Sequence, residues 1–259
     1  LELGGTSTNY EGATMTLGSL TLAGMTQWSD NGAEAAGGLR NHGVLTVTGD
    51  MAVGGVFENL AQASVGTLNL NGEGKVINSG TLTASGTVTV DKNATIEGTG
   101  TLEADQVNVS PDDSLDVVAT LIQDQLKVTG VSGILNNGTI RVNNLVTTKV
   151  SNIKGQLEVG SATVTGVLEN HSDVTISEKA DINQLIQHSG VIQGEGASLS
   201  ADAVTVNDGT INVGTLDVSG DMAVDGGSVT ADVWKLGNET SISGGTINVK
   251  DIQSQGSEI

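Results

Sequence analysis

The side chains through which this chain could do chemistry are carboxylates and histidines: 30 Asp and Glu against 10 Lys and Arg, three His and no Cys in 259 residues. Two carboxylates roughly 5 to 9.5 Å apart cleave glycosidic bonds, and clustered ones, as at Asp112, Asp113 and Asp116, suit calcium. Without cysteine there is no thiolate nucleophile, no disulfide framework and no thiolate metal site. Neither a Gly-x-Ser-x-Gly elbow nor a phosphate-binding Gly-x-x-x-x-Gly-Lys-Ser/Thr loop occurs. A formal charge of −20, with Arg40 and Arg141 the only arginines, makes nucleic acid and anionic lipid poor partners. The acidity reads first as a solvated, repulsive surface. Whether any two of these groups cooperate depends on the elements that hold them.

Those elements are announced by a repeat. A glycine stands two residues before an aliphatic residue at Gly43/Leu45, Gly80/Leu82, Gly100/Leu102, Gly138/Ile140, Gly155/Leu157, Gly190/Ile192, Gly209/Ile211, Gly227/Val229 and Gly245/Ile247. Three degenerate copies, near Ser64, at Ala119/Leu121 and at Ser172/Val174, bring the mean interval to about 18 residues. Self-similarity at this period marks a solenoid, in which each repeat buries its apolar face by stacking on its neighbours. Within the unit the alternation of Gly138-Thr139-Ile140-Arg141-Val142 is that of a strand, with Ile140 and Val142 inward. Gly86-Thr87-Val88-Thr89-Val90 and Gly214-Thr215-Leu216-Asp217-Val218 repeat the motif within coils already counted, so each coil holds a second strand or more. An asparagine precedes the glycine by two residues at Asn41, Asn78, Asn136 and Asn207, with Asn170 in the corresponding place, and stacked asparagines would form a ladder between coils. Residues 45–53 (LTVTGDMAV) closely match 216–224 (LDVSGDMAV) at a different offset, which leaves the sheet assignment of 43–53 open.

Leucine-rich repeats place their asparagine after the strand, hexapeptide helices need an aliphatic every six residues, and calcium-binding nonapeptides need a third glycine that 226–232 lacks. A right-handed parallel β-helix of about 18–19 residues per coil and roughly 12 coils is the expected fold. Residues 1–38 are expected to be irregular N-terminal coils and a loop, part of the same body as the single elongated domain of repeats over 39–259. Over 110–122 a short helix starting at Pro111 competes with a strand through Val117, Ala119 and Leu121, and the strand is preferred. Four aromatics, Tyr10, Trp28, Phe57 and Trp234, suit a narrow core filled by Val, Ile, Leu and Ala.

This register allows the carboxylates to be checked. The outward position after each repeat aliphatic reads Thr46, Thr83, Glu103, Gln123, Arg141, Glu158, Thr175, Gln193, Asn212, Thr230 and Asn248, with no adjacent acidic pair. Asp202, Asp217, Asp221 and Asp232 cannot be registered from the sequence. His42 and His171 follow a ladder asparagine and His188 takes the asparagine position itself; only His171 and His188 fall on neighbouring coils. Thr-x-Thr at the repeat, as ice-binding arrays need, occurs only at Thr81/Thr83. No catalytic, cofactor-binding or metal-binding residue is assigned, and no cofactor is expected.

The coils NSGTLTASGTVTV, NNGTIRV and NDGTINVGTLDVSG, rich in Gly, Asn and Thr with almost no aromatics, resemble the passenger domains of bacterial autotransporters and related type V secreted adhesins, over roughly residues 39–252. The resemblance implies export across the outer membrane to the cell surface or medium, with this chain read as a segment of a longer protein. It implies a non-enzymatic adhesin or structural stalk whose partner is a surface receptor, a glycan or another copy. A polysaccharide lyase or hydrolase and a phage or virion spike are the alternatives.

Overall fold

The computed structural model describes residues 1–23, 38–91, 93–110 and 119–254. The acidic triplet Asp112, Asp113 and Asp116, the Pro111 helix start, Trp28 and most of the 29–38 loop lie outside the described residues. Every described element is a strand and every pairing among the described residues is parallel, as in a β-solenoid of about 13 turns. The chain divides into two compact units, 1–132 with 138–141, and 133–137 with 142–259.

In the second unit the strand Gln156–Asn170 pairs with Asp173–Gln187 in three runs separated by register shifts, so one long strand bends at two corners and supplies three faces. The first face carries the repeat: Leu157, Val174, Ile192, Ile211, Val229 and Ile247 are register partners, all buried except Ile247 in the last coil. The second face is the extra strand expected within each coil and stacks Ala162, Ala180, Leu199, Leu216, Trp234 and Ile252. The third stacks Val150, Leu168, Leu185, Val204 and Met222. Burying each Val, Leu or Ile contributes roughly 1.5 to 3 kcal/mol, and alternation leaves the polar residue between each inward pair at the surface.

The first unit is built the same way. Met15, Leu45, Ala63, Leu82 and Leu102 share its first face, so 43–53 belongs where the repeat places it, and Ala63 is the degenerate copy near Ser64. The matching nonapeptides instead occupy different corners: 45–53 runs from first face to second, and 216–224 from second to third. What they share is the corner glycine. A Cβ on Gly49 would lie 2.7 Å from the Gly18 carbonyl oxygen, and one on Gly220 2.2 Å from that of Asp202. The motif encodes a tight corner, not a face. The N-terminal residues are more regular than expected, since Glu2–Leu3, Ser7–Asn9, Thr14–Leu17 and Leu20–Leu22 all pair with later coils. One repeat assignment is corrected: Leu121 lies in the strand Thr120–Asn136 beside Ile96 on the third face, not beside Leu102.

An asparagine ladder runs inside the third-face corner of each unit. In the first, Asn9 donates to Asn41 (2.8 Å), Asn41 to Asn59 (2.8 Å), Asn59 to Asn78 (2.9 Å) and Asn78 to Gln123 (3.0 Å). In the second, Asn136 donates to Asn152, Asn152 to Asn170 and Asn170 to Gln187, at 2.8, 2.8 and 3.0 Å. Most of these amides use their second N–H on a backbone carbonyl just past the next ladder residue, as Asn41 does on Gln62. The corner carbonyls, which would otherwise be buried without a partner, are thereby satisfied. Gln123 is thus 2% exposed in the ladder and not on the outward row.

Asn207 is exposed and outside the ladder, because Val206 pairs with Gln187. The reason is an extra residue in the later corners, with Gly190, Gly209, Gly227 and Gly245 at φ between 71° and 80°, a region open to glycine. Counting back two from such a glycine lands one residue past the ladder site. His188 is displaced in the same way: Gln187, not His188, holds the amide position.

Gly98 interrupts the first ladder. Glu97 pairs with Ile77, which puts Gly98 opposite Asn78, where a Cβ would sit 2.1 Å from the Asn78 carbonyl oxygen. Gln123, longer by one methylene than asparagine, reaches past this coil to Asn78. Gly98→Ala is therefore expected to lower the urea midpoint by the equivalent of about 2 to 4 kcal/mol through clash and a φ of 138°, and Gln123→Asn by about 1 to 2 kcal/mol through the lost hydrogen bond.

Candidate functional site

The register sorts the outward side chains into files about 4.8 Å apart from coil to coil. On the first face of the second unit the file is Glu158, Thr175, Gln193, Asn212, Thr230 and Asn248, as the repeat requires. Gln193 donates to the Thr175 hydroxyl at 3.1 Å. In the first unit Thr46, Ser64, Thr83 and Glu103 form the corresponding file, and Lys127 stands 3.6 Å from Glu103. Each of these files carries one carboxylate and otherwise offers hydroxyl and amide groups, which donate and accept hydrogen bonds without a charge.

At the edge of the first face, Asn212, Thr230 and Asn248 line a depression of about 260 Å³ with Glu195 and the Asp232–Lys250 pair. Gly196 and Gly214 form its floor: a Cβ on Gly214 would lie 2.7 Å from the Gly196 Cα. The Asp232 carboxylate, 2.6 Å from Lys250 Nζ, hydrogen-bonds the ammonium and raises its pKa.

Of the acids that the sequence could not register, Asp217 falls on the second face and Asp202 just past its end, while Asp221 precedes the third-face strand Met222–Val224 and Asp232 lies at the first-face edge. The outward file of the second face reads Thr163, Asp181, Ser200, Asp217, Lys235 and Gln253. Asp181, Asp202 and Asp217 line an open groove of about 680 Å³ with Asn183, Ser200 and Ser219. Lys179 is 3.1 Å from Asp181, Lys235 is 3.6 Å from Asp217, and the Ser219 hydroxyl donates to Asp202 at 2.9 Å. Asp181 and Asp217 are two coils apart, about 9.6 Å at the strand spacing, which is the far limit for two carboxylates flanking a glycosidic bond. Each is ion-paired to a lysine. The alternation of Gly214-Thr215-Leu216-Asp217-Val218 points Asp217 outward, but the steps back to Ser200 and Asp181 are 17 and 19 residues, so only the pairing brings the three into one file.

The histidines lie in corners. His171 and His188, on adjacent coils, stack with ring centroids 4.2 Å apart and planes inclined by 12°. His42 follows Asn41 in the first unit. Among the described residues no three His, Asp or Glu side chains converge as they would around a metal ion. No protein-family model, no curated protein and no solved structure matches the chain.

Proposed function

We propose that this chain is a non-enzymatic β-helical segment of a bacterial cell-surface or secreted protein of the autotransporter passenger type, acting as an adhesin or structural stalk. The observation that carries the reading is the file of hydroxyl and amide side chains over five coils of the first face, Thr175, Gln193, Asn212, Thr230 and Asn248, a regular surface that can hydrogen-bond a receptor, a glycan or a second copy. The cysteine-free, Gly- and Asn-rich coils and a strongly acidic, self-repelling surface agree with it. Export across the outer membrane belongs to the same proposal.

The acidic groove favours a second reading, a carbohydrate-active β-helix enzyme. One experiment separates them: the chain is applied to a glycan array and to bacterial or host cells, and the supernatant is assayed for new reducing ends and unsaturated sugars. Retention on cells or glycans with no product supports adhesion. Product release that Asp181→Asn or Asp217→Asn abolishes would replace it with the enzyme.

A further inference from the structure

We propose that His171 and His188 form a surface binding site for a late first-row divalent ion, with Cu²⁺ held most tightly. The backbone sets where the two side chains start. The His171 N–H donates to the Asn152 carbonyl at 2.8 Å and the His188 N–H to the Asn170 carbonyl at 2.8 Å. Asn152 and Asn170 are ladder residues, 0% exposed and bonded to each other. Each histidine therefore leaves the ladder corner one residue past a buried, hydrogen-bonded amide. That shared position brings the ring centroids to 4.2 Å with planes inclined by 12°.

Two cis imidazole ligands at about 2.0 to 2.1 Å from an ion have nitrogens roughly 3 Å apart. Stacked planes do not point two nitrogens at one ion, so binding turns the two rings out of the stack about their side-chain bonds, with room for that motion on the solvent side. His171 is exposed and His188 half-exposed, so the ion is reached from solvent and keeps water on its remaining positions. Asn207 Nδ2 lies 3.2 Å from His188 Nδ1. Turned over to present Oδ1, the same amide accepts from Nδ1–H and leaves Nε2 as the ligand atom, an orienting contact of the kind ligating histidines use. Imidazole without thiolate favours Cu²⁺ over Ni²⁺ and Zn²⁺, and a chain charge of −20 concentrates cations around the surface.

The test is Cu²⁺ titration of the tag-free full chain, by calorimetry and by electron paramagnetic resonance, on the unmodified protein and on His171→Ala, His188→Ala and His42→Ala. Circular dichroism monitors the fold of each. The expected result is one tight site in the unmodified protein and in His42→Ala, with a spectrum of two coordinated nitrogens. His171→Ala and His188→Ala should each lose at least tenfold in affinity and retain one nitrogen. Equal affinity and identical spectra in all four proteins would overturn the proposal, as would loss of the two-nitrogen spectrum in His42→Ala alone.

Discussion

Leu157→Asp is expected to destabilise the second unit by about 3 to 5 kcal/mol, while Glu158→Leu, one residue away, changes its stability by less than about 1 kcal/mol. Leu157 is 1% exposed and pairs with Val174 on the inward file of the first face, so a carboxylate there is surrounded by aliphatic side chains. It must either stay charged without a partner or take up a proton, and both states cost stability. Glu158 is half-buried on the outward file, where leucine only loses a surface interaction and gains some apolar cover on Thr175. Urea unfolding checks both, with the change read in the midpoint at constant slope. Equal tolerance of the two substitutions would place residues 157 and 158 on no particular side.

Asn59→Ala is the second large effect, expected at about 2 to 4 kcal/mol. Asn59 is fully buried; it accepts from Asn41 and donates to Asn78 and to the Thr81 carbonyl. Truncation leaves a buried donor on Asn41 and buried acceptors on Asn78 and Thr81, each costing about 1 to 3 kcal/mol less whatever relaxation restores. Asn207→Ala removes the same side chain from an exposed corner and is expected to stay within about 0.5 kcal/mol. Chemical unfolding of the two variants side by side separates a ladder asparagine from a surface one.

The sequence carried the parallel stack because its determinants are local: alternation sets which side chains point inward, and the glycine before Leu82 or Ile211 marks where the first face begins. Asn41, Asn78, Asn136 and Asn170 were legible as a ladder for the same reason, each preceding such a corner. Asn59, Asn152 and Gln187 were not, because nothing in the rule of two residues before glycine points to them: Ala61 replaces the glycine after Asn59, and the corners after Asn152 and Gln187 carry an extra residue. Leu121 failed for a different cause. Its interval of 19 residues from Leu102 fits the repeat, yet the true partner is Ile96, 25 residues away, a longer step than those between neighbouring coils. A periodicity argument finds the mean coil and misses the exceptional one. The acidic groove needed the register of the second face, which is fixed by pairing across coils and not by the order of residues within one.

The most direct test of the stacked register uses the absence of native cysteine. In the double variant Thr175→Cys/Gln193→Cys the two positions are register partners on the first face, about 4.8 Å apart, within the Cα separation a disulfide spans. In Thr175→Cys/Asn212→Cys they are two coils apart, at about 9.6 Å, beyond that span. Mild oxidation of dilute protein followed by mass spectrometry should show an intramolecular disulfide in the first variant and free thiols in the second. Cross-linking of the second pair in preference to the first would contradict the parallel stack on which the ladder, the outward files and the histidine site all depend.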